Sequence, residues 1–173
     1  KVDLTGDKVS IKELTEDEDE ATKNTLSFLI FLDNYQTANL PSVSGYITNS
    51  NVRNLLTVHA FQEVIHSAAY QYVLEALYPT MQRDEIYNRW KTNTALMERN
   101  KSIASIGEAF ANEASEENFH KVLAANFALE GIYFYQGFNF FDQLAHRNRL
   151  VQTDKEIDYI RNDELTHMGL FVN

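Results

Sequence analysis

Residues 128–141, ALEGIYFYQGFNFF, and residues 154–171, DKEIDYIRNDELTHMGLF, decide how this chain is interpreted. The first stretch carries a single carboxylate, Glu130, in an apolar and aromatic-rich segment. The second carries Glu164 and His167, which are three positions apart and therefore lie on one face of a helix. The two stretches predict a pair of helices from which three metal-binding side chains can reach the same point.

The same pattern occurs earlier in the chain. Asp33 lies in an apolar run, and Glu63 and His66 follow as a second Glu-x-x-His pair. A carboxylate helix followed by a Glu-x-x-His helix, found twice, is the known arrangement of di-metal carboxylate sites in ferritin-like proteins. We therefore predict an all-α fold, with a ferritin-like four-helix bundle as its core and additional packing helices around it.

Length and composition narrow the function classes. The 173 residues are enough for one domain, residues 1–173, in which residues 1–14 form a polar lead-in. A net charge of -10 argues against a nucleic-acid partner, because phosphates would be repelled. No apolar run approaches the roughly 20 residues that span a bilayer. The absence of cysteine excludes disulfides and zinc-thiolate sites, which fits a cytoplasmic protein.

Capping residues and prolines predict where the helices begin and end. The predicted boundaries are a capping box at Thr15 and Glu18, an end at Pro41, a cap at Asn49 or Ser50, an end at Pro79, a break near Asn100 or Gly107, a cap at Ser115, and a second capping box at Thr153 and Glu156.

Carboxylate oxygen and imidazole nitrogen together suit iron or manganese, and bridging carboxylates can hold two such ions close together. A lone Glu-x-x-His pair is weak evidence, since a third pair, Glu117 and His120, lies in a polar segment that we interpret as a solvated first turn. The other two pairs lie in apolar stripes, where an acid without a partner would be costly. The predicted ligands are Asp33, Glu63, His66, Glu130, Glu164 and His167.

Further residues lie on the same helical faces. Tyr70 is one turn after His66, so its hydroxyl should point toward the metals, although a core tyrosine with a bonded hydroxyl is the alternative. Phe134, Phe138 and Ile160 could wall Tyr70 off from water. His59 is interpreted as a hydrogen-bond donor to a ligand or a core histidine rather than a seventh ligand. Asp163 is interpreted either as a hydrogen-bond partner of a ligand imidazole or as a surface acid.

Four segments resemble the metal-binding segments of the small, radical-generating subunit of class I ribonucleotide reductase, in the order of that family. They are FLDNYQTANLP, HAFQEVIHSAAYQYV, NFALEGIYFYQGF and IRNDELTHMG. The resemblance implies that the six residues are the metal ligands and that Tyr70 is the stable tyrosyl radical. It also implies that Phe134, Phe138 and Ile160 form the radical's hydrophobic pocket, and that Asp163 belongs to the radical-transfer path.

The resemblance further implies two metal ions, either di-iron or, as alternatives, Mn/Fe or di-manganese. These would react with oxygen or a reduced oxygen species, and the radical would serve a large subunit that makes deoxyribonucleotides. A homodimer is also implied.

The family's relay tryptophan has no counterpart here, since Trp90 lies in another segment, and the family's C-terminal helices and tail are expected to be missing from this core fragment. Alternatives are another ferritin-like di-iron oxidase, an iron-storage protein, or a metal-free helical interaction protein.

Overall fold

The computed structural model describes residues 1–172, which are helical along most of their length. The helices are α1 Asp7–Ser10, a 3₁₀ turn Ile11–Glu13, α2 Glu16–Tyr46, α3 Ser50–Leu77, α4 Thr80–Thr92, α5 Thr94–Asn112, α6 Glu116–Ala128, a π-helical segment Leu129–Tyr133, α7 Phe134–Ala145 and α8 Val151–Val172. Within the described range, no helix is both long enough and apolar enough to cross a membrane.

Four helical segments form a closed bundle. α2 packs against α3 and α7, and α8 packs against the same two helices. α6 and the π-helical segment precede α7 in the chain and also pack against α8. α4 and α5 pack on the outside of α2. The interior is filled by apolar and aromatic side chains such as Leu29, Phe134 and Phe141, none of which is exposed. The predicted all-α bundle with additional packing helices is confirmed.

Capping chemistry explains several of the helix starts. Thr15 Oγ1 accepts a hydrogen bond from Glu18 N (3.2 Å), and Glu18 Oε2 accepts one from Thr15 N (2.9 Å), which completes the predicted capping box of α2. Asn49 caps α3 and Ser115 caps α6 through their side-chain oxygens, as predicted.

The prediction that Pro41 ends the first bundle helix is wrong. α2 continues through Pro41 to Tyr46, although a proline inside a helix loses one backbone hydrogen bond and costs about 3 kcal/mol. Leu40 and Val43, on either side of it, are buried in a second apolar cluster with residues of α3, α5 and α6. Their burial offsets the cost of the proline, so packing overrides the local signal.

The predicted break near Asn100 or Gly107 is also wrong. The helices divide at Asn93, whose Oδ1 accepts hydrogen bonds from Ala95 N (3.1 Å) and Leu96 N (3.2 Å) and so caps α5. Gly107 lies inside α5, where a Cβ would collide with the hydroxyl of Tyr35. Its role is therefore to let α5 approach α2 closely.

The second predicted capping box, at Thr153 and Glu156, does not form. α8 begins at Val151, and its first turn is capped from a distance by Asp7, a buried residue of α1. Asp7 Oδ2 accepts hydrogen bonds from the N (2.6 Å) and Oγ1 (2.7 Å) of Thr153, while Glu156 Oε2 accepts one from Val2 N (2.7 Å). Residues 1–14 therefore bind to the start of α8 and cap its first turn, and they are not simply a polar lead-in.

Candidate metal centre

Six inward-facing side chains meet at the middle of the bundle, and none is more than 2% exposed. They come from all four bundle segments, at positions where helical periodicity turns each one toward the axis. They are Asp33 on α2, Glu63 and His66 on α3, Glu130 in the π segment, and Glu164 and His167 on α8. The structure therefore brings all six predicted ligand residues together.

The donor atoms form two groups that share Glu63. One group contains Asp33, Glu63, His66 and Glu164, and the other contains His59, Glu63, Glu130 and His167. Within each group the donor atoms lie within 4.8 Å of one another. Glu164 also touches the second group, because its Oε2 lies 2.6 Å from His167 Nδ1 while its Oε1 lies 3.2 Å from His66 Nδ1. Two carboxylates thus stand between the groups.

Glu130 reaches the centre from a π-helical segment that the sequence analysis did not predict. The wider turn between Leu129 and Tyr133 interrupts what would otherwise be one continuous helix from Glu116. Gly131, in the same turn, allows close packing on α8, since a Cβ there would lie 2.9 Å from Met168 Sδ. π-helical turns of this kind are frequent at functional sites.

No lysine or arginine forms a described ion pair with the four carboxylates within residues 1–172. Among residues 1–172, the ion-pair partners of Glu63, Glu130 and Glu164 are all imidazoles. Neither carboxylate oxygen of Asp33 has a hydrogen-bond partner in this range. Burial, followed by the charge of Glu63, raises the pKa of Asp33 well above its usual value and that of Glu164 to about 8. Such acids require a bound proton or a bound cation.

The histidines supply positive charge when no metal is present. Burial alone would lower the pKa of His66, but the neighbouring Glu164 and Glu63 outweigh it and raise that pKa to about 11. Burial is likewise outweighed at His167, whose pKa rises to about 12 beside Glu130, Glu164 and Glu63. Divalent cations could replace these protons, and the mixed oxygen and nitrogen donors fit iron or manganese.

In each of the two buried Glu-x-x-His pairs, the outward nitrogen of the imidazole contacts a side-chain oxygen. His66 Nε2 lies 3.1 Å from Asp163 Oδ2, and His167 Nε2 lies 3.1 Å from Gln62 Oε1. Each contact leaves Nδ1 facing the carboxylates, as in metal sites where a second residue orients the imidazole. Gln36 Nε2 similarly donates a hydrogen bond to Glu130 Oε1. Sequence reasoning missed Gln62 and Gln36, although Gln36 lies three positions after Asp33 on the same helical face.

Tyr70 lies in the apolar interior beside the centre. Its side chain is fully buried, and its hydroxyl has no hydrogen-bond partner in the described part of the chain. Burial, followed by the charge of Asp33, raises the pKa of Tyr70 well above its usual value. Phe134, Phe138 and Ile160 belong to the same buried cluster, and the two phenyl rings stack with centroids 5.9 Å apart. The hydroxyl therefore lacks the hydrogen bond that the alternative interpretation, a core tyrosine with a bonded hydroxyl, requires.

The third Glu-x-x-His pair lies apart from this centre. Glu117 and His120 are exposed, and Glu117 instead forms an ion pair with Lys121 (2.6 Å) on the surface of α6. His59, by contrast, is buried in the centre, with Nε2 2.8 Å from Glu63 Oε1 and 3.1 Å from Glu130 Oε1. The structure thus separates a solvated pair from the two buried pairs.

A family model and two curated relatives all match this chain to the small subunit of ribonucleotide reductase. The family model described as "Ribonucleotide reductase, small chain" matches residues 1–173. The chain is 41% identical to the ribonucleoside-diphosphate reductase subunit beta of Treponema pallidum, covering 98% of this chain and 48% of that protein. It is 38% identical to the corresponding subunit of Halalkalibacterium halodurans, covering 99% of this chain and 50% of that protein.

A solved structure is similarly close. The ribonucleotide reductase R2 subunit from Clostridium botulinum superposes with a TM-score of 0.95 at 43% sequence identity, over 98% of this chain and 54% of that one. The chain therefore spans about half the length of the curated relatives it matches.

Proposed function

Because the chain belongs to the ribonucleotide reductase small-chain family, we propose that it is the metal-binding and radical-generating core of a ribonucleoside-diphosphate reductase small subunit. The observation that carries this proposal is the pair of donor groups that share Glu63 at the centre of the bundle. This chain covers about half the length of the relatives it matches. The activity of the whole protein is therefore proposed here together with the metal centre.

The proposed ligands of two metal ions are the six predicted residues. Asp33 and His66 would hold one ion, Glu130 and His167 would hold the other, and Glu63 and Glu164 would bridge them. Four buried carboxylates support this assignment, because two divalent cations would neutralise them; imidazoles are the only described ion-pair partners of three, and Asp33 has none among residues 1–172. Iron in both positions is our first assignment; manganese in one or both is compatible with the same donors.

When bound, the two reduced ions would supply two of the four electrons that reduce oxygen to the level of water; Tyr70 would supply the third, and an external one-electron reductant, such as excess Fe(II), would supply the fourth. The role proposed for Tyr70 is to lose one electron and its phenolic proton and then to persist as a radical. The unbonded hydroxyl and complete burial of Tyr70 support that role. Phe134, Phe138 and Ile160 would exclude water and reductants from the radical.

The proposed partner is the large subunit of ribonucleotide reductase, which would use the radical to convert ribonucleotides to deoxyribonucleotides. Asp163 would take part in radical transfer, and its position between buried His66 and solvent supports this, since its side chain is 43% exposed. A homodimer, a cytoplasmic location and the absence of nucleic-acid or membrane partners stay predictions.

Metal analysis combined with electron paramagnetic resonance tests the proposal. The chain is loaded anaerobically with Fe(II) or Mn(II), the bound metal is counted, and the Fe(II) form is then exposed to oxygen. We expect two ions per chain and a tyrosyl signal after oxidation. A chain that binds two irons and consumes oxygen without forming a radical would be an oxidase instead, whereas one that binds no metal would contradict the proposal altogether.

A further inference from the structure

His59 occupies the centre in the same way as the two Glu-x-x-His imidazoles. It precedes Glu63 by one turn of α3 and is 2% exposed, as are His66 and His167. Its Nε2 lies 2.8 Å from Glu63 Oε1 and 3.1 Å from Glu130 Oε1. The corresponding distances from His167 Nδ1 are 3.1 Å to Glu63 Oε1 and 3.7 Å to Glu130 Oε2. His59 is therefore at least as close to these carboxylates as a proposed ligand is.

The contacts of His59 are not those of a hydrogen-bonded core histidine. Despite the short distances, Nε2 makes no aligned hydrogen bond with Glu63 or Glu130, and Nδ1 has no partner among residues 1–172. A hydrogen-bonded acceptor would lie near the N–H axis of the ring. Two donor atoms bound to one ion at about 2.1 Å and at right angles lie about 3.0 Å apart. The observed separations match those between ligands around a shared ion.

We infer that His59 is a seventh protein ligand, which binds the same ion as Glu130 and His167. The inference rests on the di-metal centre of the proposed function and adds to it a residue outside the two Glu-x-x-His pairs. Stacking supports the assignment, because the rings of His59 and His167 lie 3.6 Å apart between centroids, at 25°, on the same side of the centre.

A seventh ligand makes the two ion positions chemically unequal. The position at Asp33 and His66 has one imidazole among carboxylates, whereas the position at Glu130 has two imidazoles, His59 and His167. Imidazole suits iron better than manganese, and carboxylate suits manganese. The position that includes His59 should therefore select Fe(II) over Mn(II) more strongly than the other position does.

Two substitutions distinguish a ligand from a residue that only positions Glu130. His59→Phe keeps an aromatic ring in the same space but removes both nitrogens. His59→Gln keeps a side-chain amide that can donate a hydrogen bond to Glu130 but is a poor metal ligand. The matched control is His120→Gln, which changes an exposed histidine. Circular dichroism verifies folding, and anaerobic dialysis against Fe(II) or Mn(II) with metal analysis measures each occupancy.

We expect both His59 variants to retain one ion and to bind the second at least about 100-fold more weakly than wild type does. A loss of about 100-fold is the most that is expected when a metal ligand loses only its outer hydrogen-bond partner. The loss should be larger for Fe(II) than for Mn(II), and the control should bind two ions. Second-ion binding by His59→Gln within about 10-fold of wild type would overturn the inference. If wild type binds no metal, the proposed function fails; if wild type and the His59 variants bind two ions equally, only the inference fails.

A crystal structure of the Mn(II)-loaded chain provides a second readout that does not depend on affinity. We expect His59 Nε2 at a direct bonding distance of about 2.1 Å from one ion. A nitrogen turned away from both ions, and bonded instead to Glu130, would assign His59 a positioning role and overturn the inference.

Discussion

Nε2 of His66 lies 3.1 Å from Oδ2 of Asp163, so a buried imidazole is joined to a carboxylate that is 43% exposed. The contact fixes the ring so that Nδ1 faces the carboxylates of the centre. It also connects His66 directly to a side chain that has access to solvent. Asp163 is therefore expected to affect both metal affinity and radical transfer.

Replacing Asp163 by Ala should weaken metal binding by about 10-fold, because a ligand imidazole loses its orienting partner. Asp163→Asn should cost less, since the amide oxygen can still accept the hydrogen bond. Dialysis with metal analysis measures the change, and Asn162→Ala, at an exposed neighbouring position, is the control. Unchanged affinity in Asp163→Ala would show that the contact does not orient His66.

The three Glu-x-x-His pairs should respond differently to the same substitution. His66→Ala and His167→Ala each remove a nitrogen donor from the centre and should lose bound metal. His120→Ala changes an exposed residue that lies outside both donor groups and should keep full occupancy. Metal content per chain after anaerobic loading decides the matter, and equal occupancy in all three variants would contradict the ligand assignment.

Stability of the metal-free chain should fall as pH rises from about 5 to 8.5. The folded-state pKa of Glu164 is raised to about 8, so its contribution is fully present below the unfolded value of 4.5 and is lost as pH rises toward 8. The pKa of His66 is raised to about 11, so its contribution is lost as pH rises above 6.5. Thermal unfolding in a chelator, measured across this range, should give a decreasing Tm. A Tm that increases with pH would contradict the assigned shifts.

Metal should reverse this trend, because the ligands must lose their protons before they bind. The increase in Tm on adding Fe(II) or Mn(II) should therefore be larger at pH 8 than at pH 6. Glu130→Gln should reduce that increase, because a neutral amide replaces one of the carboxylates that the cations would neutralise. A melting curve that is independent of metal at both pH values would contradict a buried metal centre.

Helical periodicity is why the central residues could be predicted. Positions three and four apart share a helix face, so Glu63 and His66, or Glu164 and His167, had to project in the same direction once their helices formed. That regularity fails where tertiary contacts decide. The π turn around Glu130 packs against α8, and the cap of α8 comes from Asp7, 146 residues away from Thr153.

The environment of His59 illustrates the same limit. Its position one turn before Glu63 indicates that it faces inward, but spacing alone cannot distinguish a ligand from a hydrogen-bonded core residue. The distinction depends on where Glu130 lies, and Glu130 belongs to another helix whose local geometry is π rather than α. Gln62 was missed for a related reason, since its contact with His167 joins two helices.

Tyr70 is the residue to which the proposed function assigns the radical. Tyr70→Phe removes one hydroxyl that has no described hydrogen-bond partner, so the variant should fold and should bind the same number of ions as wild type. It should give no tyrosyl signal after Fe(II) and oxygen are added, whereas wild type should give one. Electron paramagnetic resonance measures the signal, and metal analysis verifies that the centre is intact.

Phe138→Tyr tests the hydrophobic pocket that is proposed to shield Tyr70. Phe138 is fully buried and stacks on Phe134, so a hydroxyl placed there would add an oxidisable phenol within the same apolar cluster as Tyr70. The tyrosyl signal should then decay faster or change its hyperfine pattern. If Tyr70→Phe keeps the wild-type spectrum, the radical resides elsewhere. If Phe138→Tyr leaves both lifetime and spectrum unchanged, Phe138 does not contribute to the pocket that shields Tyr70.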